Sequence, residues 1–404
     1  MKKILQLTTY PMAKPNHGGQ MRVDAIRTQL RSLGYDVHNC SLSEMGHGDH
    51  SETDMIVSKN EIDSVVDVPF CGDLATAILC TSGSYYEFLS RIVNDLNPDI
   101  IFLEQPWLWP AVKKFISSIQ IANRPYIVYS SQNIEYVTKK NILGDHGISR
   151  TDIISKIMKI ESDLSVCADL VIAVSSDDMN ELKRLGASIV IIAPNGTNRK
   201  LISNSSQSIN FLLEKALLGR KFALFIGSAY PPNAQGFWRM MNYSLAYLRH
   251  DEFIVVAGGV SDILFAYGEI DSGLRFQLNK SKVILLGKVS DEILASLLDA
   301  ASVVILPITS GGGSNLKTAE AIASFKPTVA TRTSCRGYDT NLLNKLSDFS
   351  ICEDADSNSF VATISEKLLG CATKTAPKDN EIKLRESIYW DFTLRGISTA
   401  LKYI

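Results

Sequence analysis

Residues 302–331, SVVILPITSGGGSNLKTAEAIASFKPTVAT, bring together more potential chemistry than any other stretch of the chain. An apolar run ends at Pro307, and three glycines follow at 311–313. A helix is expected from near Ser314 to near Ser324, after which Lys326-Pro327 leads into a second apolar run. Glycine lets the backbone amides of Gly311, Gly312 and Gly313 approach an anion closely, and a helix N-terminus just after them leaves N–H groups to receive it. Lys317, in the first turn, would meet phosphate charge. Glu320, one turn on and on the same face, has two oxygens to accept from the hydroxyls of a ribose. A glycine triplet by itself is an ordinary flexible loop; a place at the end of a strand and ahead of a helix is what favours the anion reading.

The elements that must hold this segment form a repeating alternation. Residues 4–7 read as a buried strand, 11–19 as a Pro/Gly-rich loop, and 20–33 as an amphipathic helix that stops at Gly34. Strand then helix recurs at 99–103 and 111–119, at 126–129 and 133–140, and at 170–174 and 176–185. Around 198–210 the composition turns to Ser, Asn and Gln, which reads as a linker, and a second series of strands follows at 222–226, 253–257, 282–286, 303–306 and 328–330. Short apolar strands alternating with helices imply parallel sheets covered on both faces. The fold class expected is α/β, with two Rossmann-like doubly wound domains facing across a cleft. Their bounds are 1–205 and 206–389, with a C-terminal helix at 390–404 packing back on the first. The helix expected at 151–167, with Ile153, Ile157, Ile160 and Leu164 on one face, reads as an ordinary core helix.

Further segments fall in a telling order. His17-Gly18-Gly19-Gln20-Met21-Arg22 follows the first strand, Gln132-Asn133-Ile134-Glu135 follows the third of the first series, and Pro194-Asn195-Gly196 precedes the polar stretch. Phe225-Ile226-Gly227-Ser228 with Pro232-Asn233 opens the second series, followed by Leu286-Gly287-Lys288-Val289, by Pro307 and the glycine turn, and by Glu320, Ala321, Ala323 and Pro327-Thr328-Val329-Ala330-Thr331. Over nearly its whole length the chain resembles the retaining nucleotide-sugar glycosyltransferases of GT-B architecture, of the family 4 kind that includes many bacterial polysaccharide-building enzymes. Two positions depart from the family pattern. Gly312 stands where an acidic residue is usual, similar to a subgroup reading G-G-G-[ST]-x-[LI]-K, and Gln132 stands where His is usual.

The resemblance implies that Gly18 and Gly19 present amides to the transferring sugar and diphosphate, and that Gly19, Arg22, Glu135 and Lys317 line the reacting centre. It implies donor contacts from Gly227, Ser228 and Asn233, from Gly287 and Val289 beside the nucleobase, and from Gly311, Gly312, Gly313, Ser314, Asn315, Leu316 and Glu320. Lys317 has motif support as the cation for the diphosphate, whereas Arg332 and Arg336 do not. The resemblance makes 1–205 the acceptor domain and 206–389 the nucleotide-sugar donor domain, and Trp390 heads a segment that in the family crosses back to the first domain.

Other classes lack their signals. The 41 basic and 43 acidic residues give a formal net charge of −2, which removes the footprint of a nucleic-acid-binding surface. No G-x-G-x-x-G and no P-loop pattern occurs. Seven scattered cysteines without a C-x-x-C argue against a disulfide framework or a zinc site, and fit a reducing cytoplasm. The N-terminal apolar run breaks at Gln6 and Thr8, too soon for a signal peptide, and no run approaches a membrane span. Asp354-Ala355-Asp356 has metal-binding spacing but sits in a late polar stretch, His47 and His50 read as solvated, and Trp107 and Trp109 read as core. The expectation is a cytoplasmic, metal-independent enzyme without a cofactor. It would take a nucleoside diphosphate sugar as donor and a saccharide or lipid-linked saccharide as acceptor, with peripheral contact at the inner membrane face as an option and the oligomeric state open. Rival readings are a GT-B-fold nucleotide-sugar epimerase and a non-catalytic nucleotide-sugar-binding subunit.

Overall fold

In the computed structural model, which describes residues 1–15, 17–44, 49–199, 206–268, 274–370 and 379–402, thirteen parallel strands form two sheets among those residues. The first sheet holds β1 (Lys3–Thr8), β2 (Asp36–Glu44), β3 (Asp54–Val57), β4 (Ile100–Leu103), β5 (Tyr126–Ser130), β6 (Leu170–Ala173) and β7 (Val190–Ile192), in the order β3-β2-β1-β4-β5-β6-β7. The second holds β8 (Lys221–Ile226), β9 (Glu252–Ala257), β10 (Val283–Leu285), β11 (Val303–Leu306), β12 (Thr328–Thr331) and β13 (Phe349–Cys352), in the order β10-β9-β8-β11-β12-β13. Ile4 on β1 lies opposite both Val37 and Ile100, and Val304 on β11 opposite Leu224 and Thr328.

Two-residue periodicity covers both faces of the second sheet. Phe222, Leu224, Val304 and Leu306 enter one hydrophobic cluster, while Ala223, Phe225, Val303 and Ile305 enter another. The helix Leu316–Ala323 packs into the first cluster through Ala319 and Ile322. The helices Pro231–Met240 and Ser357–Leu369 pack into the second through Phe237, Trp238, Phe360 and Ile364. The helix Thr151–Cys167 buries Ile153, Ile157 and Leu164, as its spacing predicts.

Strands β2, β3, β7 and β13 have no counterpart in the sequence reading. Asn39, Ser41 and Ser43 make β2 look polar, yet their neighbours accept them: Asn39 donates to the Gln6 side chain at 3.1 Å and Ser41 to Asp54 on β3 at 2.6 Å. Polar pairs across strands replace the apolar run that would have betrayed the element.

The chain forms two compact units, Met1–Pro194 with Gly312–Ser314 and Leu394–Ile404, and Asn195–Gly311 with Asn315–Thr393. Part of the polar stretch read as a linker, 200–205, lies outside the described residues, and 207–210 begin the helix Gln207–Leu217. In place of one helix at 390–404 there are two, Trp390–Thr393 and Arg395–Leu401. The second is tied into the first unit by Gln29 donating to Ser398 and Tyr35 to the Leu401 carbonyl. No helix among the described residues is long and apolar enough to cross a membrane.

Gly236 marks the tightest seat of a helix on a site loop, since a Cβ there would stand 2.3 Å from the Pro307 carbonyl oxygen. Gly236→Ala is therefore expected to destabilise the second unit by about 2–3 kcal/mol, against alanine's better helix propensity. A lowered denaturant midpoint checks this; a raised one would show that the helix is not so seated.

Candidate functional site

In a parallel sheet every strand delivers its carboxyl end to the same edge, and ligands gather where the strand order reverses. The reversal lies between β8 and β11 in the second unit and between β1 and β4 in the first.

After β8, Gly227 donates to the Ala257 carbonyl at 3.0 Å and its own carbonyl accepts from Val260. A Cβ on Gly258, whose φ is +92°, would meet the Gly227 carbonyl at 2.3 Å, so two backbone turns lie directly against each other. Asn233 holds this turn from the following helix, its Nδ2 donating to both the carbonyl and the hydroxyl of Ser228. Gly287, at φ +65°, supplies its carbonyl to the Gly258 amide at 2.7 Å, which links the expected nucleobase-reading stretch to the same turn, and Val289 packs on the core nearby.

After β11, Gly311 and Gly313 both take positive φ, +116° and +67°, conformations that favour glycine. Asn315 caps the helix Leu316–Ala323 by accepting from the Lys317 amide at 3.2 Å. Lys317 Nζ lies 3.0 Å from Glu320 Oε2, and Glu320 is only 5% exposed. The two residues thus form one ion pair. Arg336, which carried no motif, donates from Nη1 to the Gly311 carbonyl and puts a guanidinium on the glycine turn. Arg332 is committed elsewhere, to Glu353. Beneath the far end of the helix, the buried Arg385 donates to the Ile322 carbonyl, pairs with Asp348 at 2.5 Å and stacks over Phe325.

The D-x-D spacing is accounted for locally. Asp354 accepts from the amide and hydroxyl of Thr333, and Asp356 caps the helix Ser357–Leu369 through the Ser359 amide. No group of three His, Cys, Asp or Glu side chains suited to a metal occurs among the described residues. His47 lies outside the described residues, and His50 stands 3.5 Å from Ser43 Oγ.

In the first unit the stretch read as a Gly-Gly loop opens a helix, Gly18–Ser32, because the His17 side chain caps it by accepting from Gln20. Gly18 and Gly19 then supply first-turn amides, which a helix cannot pair internally. A Cβ on Gly19 would stand 2.6 Å from Gln132 Oε1 and 3.0 Å from the Tyr10 hydroxyl, while Gln132 Nε2 donates to that hydroxyl at 2.5 Å. A side chain here would have to displace the Gln132 carboxamide, the far end of a flexible side chain. Arg22 is 1% exposed and donates from Nη1 to the Ala193 carbonyl at 2.9 Å, so any part it plays passes through the groups around it.

Glu135 is 6% exposed at the start of the helix Glu135–Asp145, and its amide donates to Glu161 Oε1 at 2.9 Å. Burial pushes its carboxyl up to about 8, with Asp73 and Glu161 adding to the rise and Lys139 opposing it. Glu104, just past β4, is fully buried and pushed up to about 7 by the same cause, with Ser130, Arg22 and the Gln6 side chain at 2.8 Å restraining the rise. Lys139 pairs with Asp73 at 2.6 Å, and Thr9 after β1 donates to Gln105 after β4 at 2.8 Å. Asp73, Glu104, Gln105 and Lys139 were not singled out in the sequence. They stand in unremarkable contexts far apart along the chain, and only their places beside strand ends join them. Trp107 and Trp109 are buried, and the Trp109 indole donates to Asp163 at 2.7 Å.

Residues 220–368, which contain the β8 and β11 turns, match the family model described as Glycosyl transferases group 1. Among curated proteins none matches the sequence. Among solved structures the chain is similar to sucrose-phosphate synthase from Thermosynechococcus elongatus, at TM-score 0.73 and 12% identity over 100% of this chain and 99% of that one. It is also similar to Anabaena HepE in complex with UDP, at TM-score 0.66 and 16% identity over 100% of both chains. A third likeness is α,α-trehalose 6-phosphate synthase from Burkholderia multivorans, at TM-score 0.64 and 12% identity over 100% of this chain and 98% of that one. The fold is GT-B. Its two parallel-sheet Rossmann-like units are those expected from the alternation of strands and helices.

The raised carboxyls tie stability to pH. An acid whose native pKa lies above its unfolded value of 4.5 stays protonated in the native state while the unfolded chain ionises. Its contribution is therefore whole below about pH 4.5 and lost as pH rises towards about 8. Glu135→Gln, which cannot ionise, is expected to flatten the fall in melting temperature between about pH 5 and pH 8. An unchanged slope would mean that the carboxyl is ionised throughout.

Proposed function

We propose that the protein is a retaining glycosyltransferase that moves a sugar from a nucleoside diphosphate donor to a hydroxyl of a saccharide or lipid-linked saccharide, in the building of a bacterial surface glycan on the cytoplasmic side of the membrane. The observation that carries this reading is the β11 turn. Left-handed glycines, a capped helix start and the Lys317–Glu320 pair lie together within the segment matching Glycosyl transferases group 1. The GT-B fold supports it as well. Departure of the nucleoside diphosphate builds negative charge on its phosphates. The amides of 311–313, with Lys317, are the groups to stabilise that charge where it develops, and Arg336 adds a guanidinium at Gly311. Glu320 accepts from the ribose hydroxyls once Lys317 turns to phosphate. The acceptor proton passes to the departing phosphate, which accounts for a site without a dedicated base. The charge on the diphosphate is met by protein groups alone, so the reaction needs no metal. HepE has been solved with UDP and with UDP-glucose, which makes uridine the first base to test.

Calorimetric titration of UDP, GDP, ADP and TDP, beside product analysis, tests the proposal; binding of none of them would end it, and turnover of a nucleotide sugar without an acceptor would favour an epimerase. With the nucleotide that binds, Glu320→Ala is expected to lose at least tenfold in affinity, since hydrogen bonds to a charged group contribute about 1.5–3 kcal/mol each. Lys317→Ala is expected to depress turnover more than binding and also to lower stability, because it leaves a buried carboxylate without its cation. Unchanged affinity in Glu320→Ala would make the pair a purely structural one.

Turnover is also expected to survive removal of divalent cations by chelator. A strict need for Mg²⁺ or Mn²⁺ would contradict the assignment of the diphosphate charge to protein groups.

A further inference from the structure

The turn at residues 68–71 of the first unit contains a residue type that its backbone disfavours. Cys71 N–H closes the turn on the Val68 carbonyl at 3.3 Å, with Pro69 and Phe70 at the two central positions. Phe70 has φ +65°, at the turn position where a positive φ ordinarily selects glycine or asparagine. A bulky aromatic there is strained, and such strain persists only where the surroundings impose it. Its ring does not repay the strain by filling the core, because Phe70 is 49% exposed. Instead the ring lies against His146, 4.5 Å between centroids and tilted by 42°.

The surroundings hold this turn firmly. Lys139 Nζ, itself nearly buried, donates to the Phe70 carbonyl at 2.7 Å and to Asp73 Oδ2 at 2.6 Å, so one cation fixes both the turn and the carboxylate beside it. Asp73 Oδ1 faces the Thr9 hydroxyl at 3.5 Å, and that hydroxyl donates to Gln105 Oε1 at 2.8 Å. Thr9 and Gln105 follow β1 and β4, which flank the reversal of strand order in this sheet. The turn thus carries a half-exposed aromatic ring, and the cation that holds its carbonyl also holds Asp73, which faces Thr9 and through it Gln105, at the edge where this fold gathers ligands.

That combination suits a pyranose. One face of the sugar offers C–H groups that pack on an aromatic ring, and its rim offers hydroxyls in pairs that a carboxylate and an amide can take up. We propose that Phe70, Asp73 and Gln105 form a saccharide subsite, with Phe70 as the stacking platform. Resting on the transferase reading, its occupant is the acceptor sugar.

Saturation-transfer NMR with the methyl glycosides of glucose, galactose, mannose and N-acetylglucosamine tests the subsite, and calorimetry with UDP, GDP, ADP and TDP on the same samples tests the reading it rests on. The wild-type protein is expected to transfer saturation to the C–H face of at least one glycoside. Phe70→Ala and Asp73→Asn are expected to weaken that signal at least tenfold, Phe70→Trp to keep it, and Ile121→Ala, at a surface position 92% exposed, to leave it unchanged. Phe70→Asn, better suited to a positive φ, is expected to melt no lower than wild type while losing the signal; this separates loss of the platform from loss of the fold. No signal from the wild-type protein, or an equal signal from Phe70→Ala, would overturn the subsite. A Phe70-dependent signal from a protein that binds none of UDP, GDP, ADP and TDP would keep the subsite and remove the transferase reading.

Discussion

Strands that all run one way impose a single constraint on both halves of this molecule. Every loop leaving a carboxyl end emerges at the same edge of its sheet, and where the order reverses no crossover helix covers the gap. The turns after β8 and β11, and those after β1 and β4, occupy these two gaps. Their residue choices follow from crowding as much as from ligand chemistry. Gly227 and Gly258 let two backbones touch, Gly236 lets a helix lie on the Pro307 turn, and Gly19 leaves room for Gln132 and Tyr10. A glycine in such a place serves the scaffold, and the backbone that neighbours approach closely is also a backbone whose amides can be reached.

The two units handle charge differently. The second keeps its ionisable groups paired across short distances, as in Lys317 with Glu320 and Arg385 with Asp348. The first buries carboxyls that burial drives towards the protonated form, Glu104 and Glu135 among them, with the nearly buried ammonium of Lys139 beside Glu135. An arrangement of this kind is held together by hydrogen bonding more than by Coulomb attraction, since desolvation opposes ionisation. Its cost is tolerable because the neighbours are already ordered by strand ends.

Much of the fold was legible because buried parallel strands are short apolar runs, and β1, β5, β8 and β11 stand out as such. The strands β2 and β3 escaped because Asn39 is satisfied by Gln6 and Ser41 by Asp54 across the sheet, which erases the apolar signal. The glycine turn and its helix were legible from residue type alone. What residue type could not convey was partnership: that Lys317 and Glu320 hold each other, that Asp354 and Asp356 cap local backbone, and that Gly18-Gly19 are helical once His17 caps them. Phe70 was illegible for a further reason. Pro-Phe signals nothing until the closing hydrogen bond of the turn shows that the phenylalanine has taken glycine's place.

Arg385 bears on how the molecule is made. The helix Leu316–Ala323 emerges from the ribosome with its last carbonyls open, and the guanidinium that takes the Ile322 carbonyl follows only after β13 and the Ser357–Leu369 helix have been synthesised. Domains fold largely in the order of synthesis, so the glycine turn sits on a helix whose foundation arrives late. During that interval the nascent chain has the whole of β8 to β12 in hand while the helix behind the glycine turn still lacks its last partner.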